Sequence, residues 1–313
     1  MADDRGMAMT ATGVRPYLEL VRFSHTIFAL PFAVMAGLVA LRMGGDLGGV
    51  TGSTGAWLRA GLGILLCMIT ARTAAMAFNR LVDRSIDAAN PRTASRHLPR
   101  GDLGVGEVFA LVVASCTAFL ASTLLFLPNW LPMVLSVPVL AWLLGYSYAK
   151  RFTMLAHLWL GAALGMAPVA AWIALRGLVV LREPADLLPA VVLGLGVMTW
   201  VAGFDIIYAC QDAGFDADHG LHSIPARLGV ARALRLAAVL HLITVLLLAL
   251  LPLVVPALGS VYAGAMVVIA GLLLWEHWIV RPDDLSRVNQ AFFNANATIG
   301  MILLVAIAVD LWA

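Results

Sequence analysis

Charge is scarce in this sequence: acidic and basic side chains make up 12% of its 313 residues, and Lys150 is the single lysine. Soluble domains average about 25% charged residues. With 62% of positions hydrophobic, a water-soluble globule is excluded, because too little polar surface remains to cover the apolar bulk. Cysteine is also sparse: Cys67, Cys116 and Cys210 show no disulfide or metal-ligand spacing, and all fall in or beside apolar runs, so they read as packing residues. A net charge of +2 offers no basic excess for a nucleic-acid partner. No linker or low-complexity stretch divides the chain, so residues 1–313 read as one domain. The first sixteen residues are polar, with no cleavage site after the first apolar run, so the first span is expected to be retained.

Long apolar runs are what the sequence has in plenty. They lie near 21–41, 57–79, 108–127, 130–148, 154–175, 187–209, 233–254, 257–277 and 290–312. Each approaches or exceeds the roughly 18 to 20 residues that cross a hydrocarbon core of about 30 Å. The expectation is an all-α integral membrane protein of nine transmembrane helices. The N-terminal arm and the even-numbered loops hold fifteen of the twenty Lys and Arg residues. By the positive-inside bias those loops and the N-terminus face the cytoplasm, and the C-terminus lies outside. Pro31, Pro138 and Pro168 are expected to kink helices. Gly161, Gly165, Gly194 and Gly196 are expected to let helices approach closely.

The polar residues gather in two segments at the expected cytoplasmic face. In the first, Asn79, Asp83 and Asp87 recur every four residues and form one stripe on a helix. Arg72 lies nearly above that stripe at membrane depth, where a cation is costly without an anionic partner. Two carboxylates and an amide oxygen suit Mg²⁺, which takes oxygen ligands and leaves room for phosphate oxygens. Asn90-Pro91 stops the helix, so Arg92, Arg96 and Arg100 fall on a loop beside the carboxylates. In the second segment Asp205, Tyr208 and Asp212 share a face, and Asp216 continues it if the helix persists past Gly214. Asp205 sits within the apolar run and needs a partner. Tyr146 and Lys150, one turn apart, close the fourth span.

Arg22, beside Ser24 and His25, is a candidate for binding the carboxylate of an aromatic acid, while His25 itself reads as an interface residue. The role of His222 and Ser223 stays open. Glu276 and His277, flanked by Trp275 and Trp278, read as residues of a membrane border.

Two opposed carboxylate clusters, loop arginines and a lysine at the rim of an apolar bundle suit a diphosphate with a long hydrocarbon tail. The head group would be bridged through Mg²⁺ to both clusters, and the tail would lie among the helices. Phe78, Phe204, Tyr146 and Tyr208 are candidates for a wall around the allylic cation left by ionisation. A cation-coupled transporter is the non-enzyme alternative. It calls for carboxylates at mid-bilayer on broken helices, whereas most of these lie at helix ends.

Asn79-x3-Asp83-x3-Asp87, Arg92-Thr93-x2-Arg96, Tyr146-x3-Lys150 and Asp212-x3-Asp216 together resemble the UbiA superfamily of intramembrane prenyltransferases. The resemblance spans nearly the whole chain in motif order. It implies nine helices around a central cavity and Mg²⁺ held through both Asp-rich motifs, with acceptors prenylated from the cytoplasmic side of the bacterial inner membrane. By position, Asn79, Asp83, Asp87, Asp212 and Asp216 become metal and diphosphate ligands, and Arg72 and Lys150 contact diphosphate. From their own placement, Arg92, Arg96, Tyr146, Tyr208 and Arg22 are further candidate substrate contacts. Asp83, Asp212 and Lys150 are expected to carry the chemistry, with Asp205 a candidate base.

Ser24–Pro31 and Phe204–Asp212 look like those of bacterial 4-hydroxybenzoate polyprenyltransferases of ubiquinone biosynthesis. More narrowly they look like the branch that includes menaquinone-pathway enzymes acting on a dihydroxynaphthoate. The implied partners are a polyprenyl diphosphate, an aromatic acid and membrane lipid. A different prenyl acceptor in the same fold is the enzyme alternative. Arg80 stands where many members carry Asp, and His97 where many carry Pro.

Overall fold

The computed structural model describes residue 13 and residues 15–21, 30–44, 54–290 and 296–313. The described residues form helices joined by turns and loops, with an isolated bridge between Arg281 and Asp284. The principal helices are α1 (Leu30–Met43), α2 (Thr54–Val82), α3 (Val105–Thr123), α4 (Leu131–Ala149), α5 (Ala156–Val180), α6 (Leu188–Ala209), α7 (Val230–Ala249), α8 (Ser260–Ile279) and α9 (Asn296–Trp312). Seven of these, α2 to α8, are long and apolar enough to cross a membrane. α1 and the apolar stretch Thr298–Trp312 of α9 are shorter. Of the nine expected spans, seven meet the length of a crossing among the described residues, and the first and last are represented there by shorter apolar helices. Much of the first expected span, 22–29, lies outside them, and with it Arg22, Ser24 and His25.

Local sequence chemistry sets several helix ends. Pro132 and Pro189 stand in the first turns of α4 and α6, where a missing N–H costs nothing. Glu107 reaches back to the Gly104 N–H at 2.7 Å and closes the start of α3. Ser223 accepts from Ala226 N–H at the start of the short helix Ile224–Leu228.

In lipid the hydrophobic effect no longer drives one helix onto another, so close packing must do it, and small residues permit the closest approach. A side chain on Gly161 would place its Cβ 2.2 Å from the Met198 carbonyl oxygen, and one on Gly165 would lie 2.5 Å from the Gly194 carbonyl oxygen. α5 and α6 therefore cross backbone against backbone, as the glycine pattern predicts. α6 is the most enclosed of the seven spans, with 61% of its apolar window buried. It is also the helix that carries Asp205 and Tyr208 and leads into Asp212.

The ends of the bundle expected to face outward are tied by polar contacts. Arg176, 6% exposed, is paired with Asp186 and donates to the Gly44 carbonyl at 2.6 Å. Asn129 Nδ2 bridges the Ile173 and Ala174 carbonyls at 2.7 and 3.0 Å. A charge that counts toward topology in the sequence is thus cancelled locally.

Glu276 and His277 are not border residues. Glu276 is fully buried, because it continues the Ile269 and Leu273 stripe of α8 that faces the bundle. Its Oε2 lies 3.7 Å from His241 Nδ1, the same nitrogen that meets His277 Nε2 at 2.9 Å. His241 Nε2 lies 3.2 Å from the Trp200 carbonyl oxygen.

The glycine contact makes a prediction. Gly194→Val should lower stability by at least about 1–3 kcal/mol through overpacking, read as a lower thermal midpoint in detergent. Gly271→Ala, where nothing lies within 4 Å of an added Cβ, should leave the midpoint within about a degree of wild type.

Candidate active site

The first acidic stripe survives a break in its helix. α2 ends at Val82, and a new turn, Arg84–Ala89, begins directly after Asp83. The Asp83 N–H still donates to the Asn79 carbonyl at 2.9 Å, and the Asp87 N–H to the Asp83 carbonyl at 2.7 Å. Asn79, Asp83 and Asp87 therefore remain one turn apart on the same side. Asn90 then takes an extended backbone (ψ 117°), as the residue before a proline prefers. Its Oδ1 accepts from Arg92 N–H at 2.9 Å, and its Nδ2 donates to Asp212 Oδ1 at 3.2 Å.

The second segment tightens rather than running straight on. α6 gives way to one 3₁₀ turn, Cys210–Asp212, and then to Ala213–Asp218. This turn brings Asp212 and Asp216 round to the first cluster. A cavity of about 160 Å³ lies between them, lined by Asn79, Asp83, Asp87, Arg92, Arg96, Tyr146, Lys150, Asp212 and Asp216 among others. Two clusters 125 positions apart thus share one cavity.

Every expected ligand carboxylate but one is already engaged by a cation. Arg92 Nε donates to Asp212 Oδ1 at 2.8 Å, and its Nη2 pairs with Asp212 Oδ2. Arg96 Nη1 meets both oxygens of Asp87 at 2.7 Å. Asp83, 3% exposed, holds Lys150 Nζ at 2.9 Å and Arg151 Nη2 at 3.0 Å. Asn79 Nδ2 adds a hydrogen bond to Asp83 Oδ2 at 3.2 Å. Arg80, itself buried, lies 3.9 Å from Asp87. Burial works against the charge on Arg92, but the hydrogen bonds and charge of Asp212 outweigh it and hold the guanidinium above its ordinary pKa. Asp216 interacts with Ser223, which gives that serine a place at the site.

Lining the cavity are the carboxylates Asp83, Asp87, Asp212 and Asp216 and the cations Arg80, Arg92, Arg96 and Lys150, so its formal charges cancel. Among the described residues no three His, Cys, Asp or Glu side chains form a ready chelate. The oxygens are spread round the wall instead.

Other expected residues sit outside this lining. Tyr208 accepts from Arg92 Nη1 at 3.1 Å, under the guanidinium. Asp205 is paired with His157 at 2.7 Å. Arg72 lies deeper on α2, its Nε buried with no hydrogen-bond partner among the described residues. The proposed aromatic wall is only partly realised: Tyr146 lines the cavity, whereas Phe204 packs on Trp200 at 5.2 Å and Phe78 on Tyr148 at 6.0 Å. Asn90, Arg80, Arg151 and His157 escaped the motif reading. For His157 the available signal was an ionisable group within an apolar run, which requires a partner.

Fold and cavity together define a polytopic membrane protein that presents a charge-balanced polar cavity at one end of its bundle. Residues 29–298 match the UbiA prenyltransferase family, and the chain belongs to that family. It is 32% identical over 241 residues to a 4-hydroxybenzoate octaprenyltransferase of Albidiferax ferrireducens, covering 77% of each chain. It superposes on the apo structure of a UbiA homolog from Aeropyrum pernix K1 with a TM-score of 0.76, at 33% identity, covering 92% of this chain and 98% of that one. A UbiA homolog from Archaeoglobus fulgidus bound to DMAPP and Mg²⁺ shares the fold, with a TM-score of 0.67 and 21% identity, covering 95% of this chain and 99% of that one.

Because Asp83 is buried among cations, Lys150→Met should cost roughly 1–3 kcal/mol by leaving a buried charge under-compensated. Adding Asp83→Asn should recover most of the lost thermal midpoint. A double variant less stable than Lys150→Met would contradict this account.

Proposed function

We propose that the chain transfers a polyprenyl group from its diphosphate to a 4-hydroxybenzoate-type aromatic acid in ubiquinone biosynthesis. It would do so in the bacterial cytoplasmic membrane, with the cavity facing the cytoplasm. The carrying observation is that both Asp-rich segments and four cations line one cavity. The names of the curated relatives support the acceptor, and the lysine and arginine distribution supports the orientation.

Mg²⁺ fits this cavity by donor chemistry. Asn79, Asp83, Asp87, Asp212 and Asp216 supply only hard oxygen ligands. The charge balance points the same way: the wall is already neutral, so an entering diphosphate requires additional positive charge. Bound there, the metal would neutralise diphosphate oxygens and favour their departure.

The chain's own side chains have complementary tasks. Arg92, Arg96 and Lys150 can turn from their carboxylates toward phosphate oxygens, exchanging one anionic partner for another. Arg72 offers a further N–H to the diphosphate from the membrane side, and Tyr208 positions Arg92. When the C1–O bond breaks, its electron pair leaves with pyrophosphate and these cations stabilise the charge. A ring carbon ortho to the hydroxyl attacks C1, the new C–C bond forms, and the ring then restores its aromaticity by passing its proton to the departed pyrophosphate. Tyr146 supplies an aromatic wall beside the allylic cation, and Arg22 is assigned to the acid's carboxylate.

Purified protein supplied with Mg²⁺, a polyprenyl diphosphate and 4-hydroxybenzoate should yield the C-prenylated acid, identified by mass. Conversion of dihydroxynaphthoate but not hydroxybenzoate would move the chain to the menaquinone pathway. Asp83→Ala or Asp212→Ala should lower kcat/KM by about a thousandfold, several kcal/mol of transition-state stabilisation. Normal turnover by either variant would defeat the assignment.

A further inference from the structure

The deepest acidic residue of the site is held by a partner that no motif contains. His157, at the start of α5 and 4% exposed, approaches Asp205 Oδ2 through Nδ1 at 2.7 Å. Its other nitrogen, Nε2, accepts the backbone N–H of Ile224 at 3.3 Å. That second bond settles the tautomer. A lone pair on Nε2 leaves the proton on Nδ1, so a neutral imidazole donates to the Asp205 carboxylate.

Asp205 therefore differs from Asp83, Asp87 and Asp212. Those three are matched by Lys or Arg, whereas the ion pairs among the described residues give Asp205 only this imidazole. It stands two helical turns before Asp212, about 10 Å further into the bundle by α-helical rise. It is not sealed off, because its side chain keeps 21% exposure. Ala156, the residue before His157, lines the cavity, and Tyr208, one turn after Asp205, meets the cavity-lining Arg92 at 3.1 Å. Asp205 thus lies just to the membrane side of the cavity lining.

A carboxylate in that place repels a diphosphate and repels the carboxylate of an aromatic acid. It attracts a phenolic O–H. We propose that Asp205 accepts a hydrogen bond from the acceptor's hydroxyl and so sets which edge of the ring faces C1 of the prenyl chain, and that His157 is the positioning residue that aims it. This rests on the aromatic-acid reading above and extends it to ring orientation. The acid's own carboxylate then points away from Asp205, and the carbon ortho to the hydroxyl is the one presented. Because Ile224 follows Ser223, which contacts Asp216, the same imidazole links acceptor orientation to the segment bearing the second acidic cluster.

Steady-state kinetics with 4-hydroxybenzoate and a polyprenyl diphosphate test this. Asp205→Asn and His157→Ala should each raise KM for 4-hydroxybenzoate by about 10–100-fold, the worth of one charge-assisted hydrogen bond. KM for the prenyl diphosphate and the Mg²⁺ requirement should stay within about twofold. His157→Asn, whose amide N–H can replace Nδ1–H, should recover most of the loss, and the Asp205→Asn, His157→Ala double variant should be no worse than the poorer single variant. Wild type should bind 4-hydroxybenzoate at least tenfold more tightly than benzoate, and Asp205→Asn should erase that preference. An unchanged acceptor KM, an equal rise in both KM values or multiplicative single effects would overturn the proposal. Failure of wild type to prenylate any aromatic acid would instead overturn the reading on which it rests.

Discussion

The bridge from Arg92 to Asp212 is the contact on which the site depends. Arg92 belongs to the loop after the first acidic stripe, and Asp212 to the turn after α6. Asn90 reinforces the same bridge from the preceding position. Without a cation between them, two clusters of carboxylates would repel across a narrow space of low dielectric. With it, they share one cavity wall. Arg96 on Asp87, and Lys150 with Arg151 on Asp83, repeat the solution around the rim.

This arrangement resolves a conflict inherent in the proposed reaction of an amphiphile. A long hydrocarbon tail calls for an apolar bundle, whereas a diphosphate calls for dense charge. Placing the charge where helices end, with cations taken from the adjoining loops, keeps most of it out of the costly interior. The exceptions are informative. Asp205 and Glu276 lie within helices, and each stands beside histidine rather than arginine or lysine. Imidazole can be neutral, so at Asp205 the hydrogen bond from His157 serves a carboxylate within the bundle without adding a second full charge.

Much of this was legible in the sequence because it is periodic or local. The four-residue spacing of Asn79, Asp83 and Asp87 survived even a break in the helix, since hydrogen bonding continued through Asp83. Glycines at 161, 165 and 194 announced a close helix crossing. What stayed hidden depended on partners far away in the chain. Arg80 looked like a family departure until its place beside Asp87 was visible. Arg151 was not singled out among the fifteen cations of the N-terminal arm and even-numbered loops, although its guanidinium is on Asp83. Glu276 was misplaced because its two flanking tryptophans suggested a border, while the stripe it shares with Ile269 and Leu273 faces inward.

The crossing of α5 and α6 has a mechanical consequence. At Gly165 and Gly194 the two backbones touch without intervening side chains, so this pair behaves as a single beam with almost no slack. His157 and Asp205 are mounted on opposite members of that beam, and their separation is fixed by the joint. Any breathing that admits a bulky guest is left to the other side of the mouth, where α2 is held by the apolar cluster of Ala77, Leu81 and Val108 but the arginine loop that follows it is tied to Asp212 by exchangeable polar contacts.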